Sequence, residues 1–557
     1  MFKTLKLKQF LRSSIIRLAA TFLSFGVQFF WLWTVSRWLK SYSVWISLAS
    51  DFLVAALVIH VYNKQNYSVS LKVPWLILIL VLPIVGITLY FLSENNHQSK
   101  RVKNNTSKIK AESVRHIKSD SNVLKTLENL DKRVANQFKY LSLVEKFPAF
   151  FNTGAKFYGN TVECLDCQLK DLATAQKFIF LEYHAIEEAK AFDRMLPVLK
   201  ERLAAGVEIR ILYDDVGSIG YINKKFIKRM NGIGIECRDF NPLSPLFSLF
   251  MNNRDHRKIM VIDGKIGFTG GYNLADEYFN YSHPYGQWKD SGLRIEGKAV
   301  NTFTELFLEM WNSQEKGRLE DVSKYFIEET DEADKNGEFA LNLNNENGAK
   351  NSGNSQVNEK NEKSPAQTEP LPAKTDGFIQ PYADMPLDYL YVGENVYLNL
   401  IKWAKDFVWI TTPYLILGDE MKRELILASL RGVDIRIVTP GVPDKKLVYK
   451  ITRSFYGELI DSGIKIYEYT PGFIHSKQMI ADGKLATVGT VNMDFRSFHH
   501  NFENGVLMYN TSAISDIQKD FESLFKIAAD VTEKYHNKKH HSMSFTDRVL
   551  RLFSTLL

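Results

Sequence analysis

Two histidines sit in matching surroundings. His256 is followed by Lys258, Asp263, Gly264, Lys265, Gly270 and Asn273, and His475 by Lys477, Asp482, Gly483, Lys484, Gly489 and Asn492, at identical spacings. One His-x-Lys-x4-Asp arises by chance at a rate of roughly a few per cent in a chain this long. Two copies agreeing at seven positions do not. The run from Lys258 to Ile262 is β-like, and residues two apart in a strand share a face, so each His and its Lys are expected to reach one cleft. A neutral imidazole can attack the phosphorus of a phosphodiester, and the phosphohistidine divides one difficult displacement into two. A second imidazole, protonated, serves the departing oxygen and then accepts the proton of an incoming alcohol. Lys258, Lys477, Asn273 and Asn492 are expected to give fixed donors to the phosphoryl oxygens as negative charge builds there. Two ammonium groups in one pocket repel a divalent cation and already neutralise that charge, so neither a metal nor a cofactor is expected.

The elements that must position these residues are also duplicated. Apolar strands at 178–182, 207–213 and 235–238 alternate with helical patterns, and 407–411, 433–438 and 464–467 repeat them. The expectation is an α/β protein: two similar domains, each a mixed β-sheet flanked by helices, at about 124–328 and 377–510, facing each other across a pseudo-two-fold axis. Between them, 329–376 is rich in Asn, Glu, Lys, Ser and Gly with few apolar residues, the composition of a disordered linker. Residues 511–557 are expected to form C-terminal helices and a basic amphipathic tail, in which Val549, Leu552, Phe553 and Leu556 share a helical face. That tail suits a membrane surface or a packed helix equally.

The paired motif resembles the signature of the phospholipase D superfamily. Its flanks, LEYHAI (Leu181 to Ile186), ILYDDVGS (Ile211 to Ser218), TTPYLI (Thr411 to Ile416) and the Arg-Leu-Phe-Ser ending, are similar to bacterial cardiolipin synthases from about Val44 onward. The long linker and the first hydrophobic segment depart from that pattern. The resemblance implies a phosphatidyltransferase that joins two phosphatidylglycerol molecules into cardiolipin and glycerol, with His256, Lys258, Asp263, His475, Lys477 and Asp482 as the catalytic signature. It makes His256 the nucleophile and His475 the acid and base. It also implies that Glu503, 28 residues after His475, and Asp290, 34 after His256, orient the imidazoles. Asp263 and Asp482 follow an apolar run and precede Gly-Lys, which reads as a turn; they are expected to bond backbone or the other half. The isolated His60, His97, His116 and His184 are read as ordinary histidines.

The same residues would serve a phospholipase D or another phosphatidyltransferase, and only an acceptor assay separates these. A membrane-anchored nuclease is disfavoured, since no long basic stripe with interleaved aromatics accompanies the motifs, so no nucleic-acid partner is expected. A net charge of +7 over 557 residues suits a surface near anionic lipid as readily as ordinary charge scatter. Cys164, Cys167 and Cys237 cannot all pair, which fits a reducing compartment.

Residues 1–95 form a membrane region with hydrophobic runs near 18–35, 44–62 and 74–92, each close to the ~20 residues a bilayer-crossing helix needs. Basic residues precede the first run and follow the third, which three crossings would place on opposite faces. The expectation is a multi-pass protein of the bacterial cell membrane whose catalytic part faces the cytosol. A polar, basic connector at 96–123 is expected to be solvated or to touch headgroups. Spacing says nothing about oligomeric state.

Overall fold

The computed structural model describes residues 43–64, 69–94, 97–117, 121–151, 153–223, 225–242, 253–317, 319–326, 377–536 and 545–554, with scattered positions between 23 and 34. The expected linker at 329–376 and most of the first hydrophobic run lie outside these residues.

One sheet has the order Gly154–Tyr158, Gly292–Glu296, Ile266–Gly270, Lys258–Ile262, Phe178–Tyr183, Glu208–Asp214 and Glu236–Phe240. The other repeats that order with Phe378–Asp384, Asn501–Tyr509, Leu485–Gly489, Gln478–Ala481, Phe407–Thr411, Asp434–Pro440 and Lys465–Tyr469, and adds short strands at both edges. In each sheet the last three strands are parallel and the rest antiparallel. Of the parallel strands, Phe178–Tyr183 is buried throughout and Phe407–Thr411 at all but its first residue, and both read as largely apolar runs. The duplicated α/β architecture with mixed sheets is therefore present.

The helix Val300–Asn312 is buried along its whole length. It packs on the strand Lys258–Ile262, on the helix His97–Ser113 and on the strand Phe378–Asp384 of the second sheet, so it belongs to a core shared by both halves. A second apolar cluster fills the other face of the first sheet.

Three expectations change at the N-terminus. The basic connector is not a solvated strand of chain: Val102, Thr106 and Ile109 of the helix His97–Ser113 are buried. Lys110 ion-pairs with Glu145 at 3.0 Å. Burial works against its charge, but Glu309, Glu145 and Glu305 outweigh this and hold its pKa up. The third hydrophobic run is divided into Val69–Val81 and Pro83–Glu94, because a proline has no N–H to continue the ladder at that point. The second run forms the helix Ser43–Tyr62 with Asp51 in its interior. Among the described residues no helix is long and apolar enough to cross a membrane.

Candidate active site

Each His-x-Lys lies at a break between two strand segments rather than inside one. The residues before it pair with the opposite half, and those after it enter their own sheet. Arg254–Asp255 runs parallel to the start of Asn501–Tyr509, with Phe502 opposite Asp255. Gly472–Ile474 runs parallel to Gln287–Lys289, with Lys289 opposite Ile474. The next residue on each partner segment is a carboxylate, and the next on each motif segment is the histidine. The His256 N–H donates to the Phe502 carbonyl at 2.9 Å, and the His475 N–H donates to that of Lys289 at 2.7 Å.

The imidazole contacts cross accordingly. His256 Nδ1 lies 2.8 and 2.9 Å from the two oxygens of Glu503, and His475 Nδ1 lies 2.8 Å from Asp290 Oδ2. Glu503 and Asp290, the two carboxylates named from sequence, make these contacts, each with the histidine of the other half. Glu503 is itself held by Thr490 Oγ1 and by Asn501 Nδ2, the latter at 3.1 Å. Asp290 accepts from the Ser291 N–H at 2.9 Å and faces Trp288 Nε1 at 3.5 Å. The motif glycines permit this approach: a Cβ at Gly270 would collide with the Ser291 carbonyl, and one at Gly489 with that of Asn504.

Burial dominates the electrostatics. It pushes His256 well below the ordinary imidazole range, and Lys258, His184, Lys477 and His475 add to the depression. Burial and Lys477 bring His475 down to about 3 against the pull of Asp290. Lys258 falls to about 8 and Lys477 to about 7, for the same first reason. The two carboxyls differ. Burial raises Glu503 to about 8, whereas at Asp290 the His475 contact and Lys477 outweigh burial and hold the group below the usual range. Burial thus favours the neutral form of both imidazoles, and each ammonium donates back to its own histidine's carbonyl, at 2.7 Å for Lys258.

The other signature residues divide. Asp263 and Gly264 both have positive φ, 55° and 68°, and Lys265 N–H closes the turn on the Ile262 carbonyl at 2.9 Å. Asp-Gly is the centre of a tight turn inside a three-residue connection, since Ile262 pairs with Ile266. The Asp263 carboxylate accepts from the N–H groups of Gln176, Lys177 and Phe178 at 2.7–2.9 Å. Asp482 does the same for Lys405, Asp406 and Phe407 at 2.8–2.9 Å. Both aspartates anchor the entry of a neighbouring strand of their own half, about 16 Å along the strand from the lysine at ~3.3 Å per residue. They bond backbone, as expected, and not the opposite half. Nor are the asparagines equivalent. Asn273 donates to Tyr278 Oη at 2.7 Å and accepts from the Ala185 N–H at 3.1 Å. Asn492 lies buried and its Oδ1 has no partner among the described residues.

One residue at the site was read as an ordinary histidine. The His184 ring packs edge-on against His256 with centroids 5.0 Å apart. Tyr183 pairs with Lys258 in the sheet, so the residue after it necessarily arrives beside the residues before Lys258. His475 has different neighbours: Tyr278, Trp288 and Phe473, with ring centroids 5.3, 5.3 and 5.8 Å away. Among the described residues no group of His, Cys, Asp and Glu side chains is arranged to hold a metal ion.

A duplicated sheet that brings two His-x-Lys motifs into one buried pocket defines a phospholipase D-like protein. The family model described as cardiolipin synthase, PLD-like domain, matches residues 169–311 and again 397–525, and the one described as Phospholipase_D-nuclease N-terminal matches 52–93. The chain is 31% identical to the cardiolipin synthase of Halalkalibacterium halodurans over 86% of this chain and 88% of that one. It is 29% identical to cardiolipin synthase 2 of Bacillus anthracis, over 91% and 90%. An uncharacterized protein of Streptococcus mutans is 35% identical over 90% of this chain and 99% of its own length. Among solved structures, phosphatidylserine synthase of Haemophilus influenzae shares the fold, with a TM-score of 0.51 at 14% identity over 76% of this chain and all of that one. The chain belongs to the cardiolipin synthase family.

Proposed function

We propose that this phosphatidyltransferase makes cardiolipin through a phosphatidyl group held on His256. With Glu503 ionised and accepting from Nδ1–H, the His256 Nε2 lone pair attacks the phosphorus of one phosphatidylglycerol. His475 gives a proton to the departing glycerol oxygen and then withdraws one from the free hydroxyl of a second phosphatidylglycerol, whose oxygen displaces His256. Burial and Lys477 weaken His475 as a base. The phosphodiester's negative charge, entering between Lys258 and Lys477, raises its basicity. The P–O bond broken in the first half is replaced in the second, so no nucleotide is needed. The supporting observation is the crossed pair of imidazole–carboxylate contacts, which joins both motif copies in one buried pocket.

Attachment to the bacterial membrane, with the catalytic part on the cytosolic side, belongs to the same proposal. It is supported by the outward apolar surface of Ser43–Tyr62, where Trp45 is 73% and Phe52 78% exposed. Protease accessibility in sealed, oriented vesicles tests it: cleavage of the catalytic part from the outer face would contradict it. The activity is tested with purified full-length protein in phosphatidylglycerol micelles, with lipid products resolved beside a His256→Ala control. Cardiolipin with free glycerol is the expected result. Phosphatidic acid alone would make the protein a hydrolase.

A further inference from the structure

The ammonium groups of Lys258 and Lys477 suit a phosphate. His184 offers the opposite. Its Nδ1 lies 2.7 Å from the Asp255 carbonyl, which can only accept, so Nδ1 carries the proton and Nε2 carries a lone pair. No described residue hydrogen-bonds to that Nε2, and the side chain is 23% exposed against 11% for His256.

The ring is held in place from several directions. A Cβ at Gly217 would sit 2.6 Å from both Cε1 and Nε2, so the imidazole is packed against a residue whose place only glycine fits. The buried Asp214 fixes both walls, accepting from the Gly217 N–H at 2.8 Å and from the Asp255 N–H at 3.0 Å. Arg254 Nη1 donates to the same carboxylate at 3.4 Å. The second half has no counterpart: the strand matching Phe178–Tyr183 is followed at the equivalent place by Pro413. A fixed acceptor on one side of a symmetric pocket selects a donor on the substrate. A phosphodiester at neutral pH has none, and a glycerol headgroup has hydroxyls.

We propose that His184 recognises the alcohol: its Nε2 accepts a hydrogen bond from a glycerol hydroxyl of phosphatidylglycerol beside His256. This rests on the phosphatidyl-transfer reading above and names the feature of the substrate that the site selects. In each transfer the alcohol oxygen forms the new P–O bond, the P–N bond to His256 breaks, and the alcohol proton goes to His475. His184 only orients the hydroxyl-bearing headgroup.

The test is a competition in one tube. Full-length enzyme acts on phosphatidylglycerol micelles containing equal deuterated glycerol and 1-propanol, and mass spectrometry gives the ratio of deuterated phosphatidylglycerol to phosphatidylpropanol. A ratio of products does not depend on how much enzyme is folded. In His184→Ala the preference for glycerol is expected to fall about three- to ten-fold, the scale of one net hydrogen bond. His184→Gln, whose amide oxygen reaches the Nε2 position, should restore it. If the alanine protein does not fold, His184→Phe fills the ring volume without an acceptor and should show the same fall. An unchanged ratio in Ala or Phe, whatever the total rate, overturns the proposal and leaves His184 a packing residue. A wild-type enzyme that yields neither product from phosphatidylglycerol overturns the transfer reading itself, a result distinct from an altered ratio.

Discussion

Replacing Glu503 by Gln tests the crossed contact at one atom. Both carboxylate oxygens lie within hydrogen-bond range of His256 Nδ1, at 2.8 and 2.9 Å. Asn501 Nδ2 donates to Oε1, so a glutamine keeps its oxygen there and sets its NH2 at the Oε2 position, 2.8 Å from Nδ1; donating to Nδ1, it turns that nitrogen into an acceptor and moves the ring proton to Nε2, the atom that must attack. Inverting the tautomer in this way costs about 10⁴ in the serine-protease triad, or about 5.4 kcal/mol at 1.36 kcal/mol per decade. The assay uses a phosphatidyl ester of p-nitrophenol, whose leaving group needs no acid. Wild type should release a burst of one nitrophenolate per site. Glu503→Gln should show none, with the first step slowed about 10⁴-fold. Asp290→Asn, which leaves the Glu503 contact of His256 in place, should keep the burst and slow turnover. The reverse pattern would assign the nucleophile to His475, and losses below about ten-fold in both variants would refute the tautomer argument. Misfolding is checked separately. Burial raises the Glu503 pKa from 4.5 to about 8, so the folded chain holds that proton more tightly than the unfolded one. Stability is therefore withdrawn as pH rises from about 4.5 to about 8, and Gln removes the effect. The variant should melt no lower than wild type at the alkaline end of that window.

The pH profile of kcat/KM should be a narrow bell between about 7 and about 8: on the acid side Glu503 is protonated and cannot accept from Nδ1–H, and on the alkaline side Lys477 and Lys258 lose their charge. Bound phosphodiester is negative and raises all three pKa values, so the kcat profile should shift alkaline; rates flat across these pH values would contradict the assignment. Asp263→Asn and Asp482→Asn keep the two N–H groups on Oδ1 but set an NH2 against the Gln176 or Lys405 N–H, and should each cost about 1–3 kcal/mol in unfolding experiments, with the burst rate per folded site unchanged. A selective loss of the burst would place these aspartates in the chemistry. Gly271→Ala drives a methyl group into Asp290 Oδ1 and the His475 carbonyl. Displacing the acid–base pair by about 1 Å should lower kcat on natural substrate about 10²-fold while sparing the nitrophenol burst.

The duplication was legible because seven residue types recur at fixed intervals, and the repeated sheet follows from the repeated strand pattern. Glu503 and Asp290 could be named but not paired, since distance along the chain does not reveal that each motif first runs beside the other half. His184 carries no motif. It could have been found only by setting the strand ending at Tyr183 in register with the one beginning at Lys258. The connector misled because its composition is polar, while the apolar face made by Val102 and Ile109 with Thr106 is narrow, and Lys110 is kept by partners that are remote in sequence. Pro83 could have warned that the third hydrophobic run would break.

A duplicated scaffold gives equal halves, yet the transfer needs two unequal histidines. The inequality enters through the neighbours. Glu503 and Asp290 hold corresponding positions, but burial raises one while the His475 contact and Lys477 lower the other. His256 has a polar ring beside it, and His475 stands against three aromatic rings. Because each carboxylate comes from the opposite half, separating the halves would remove the orienting partner of both imidazoles at once. The pocket is therefore assembled only when the two sheets are docked. The long buried helix Val300–Asn312, shared by both cores, ties that docking to the folding of the chain.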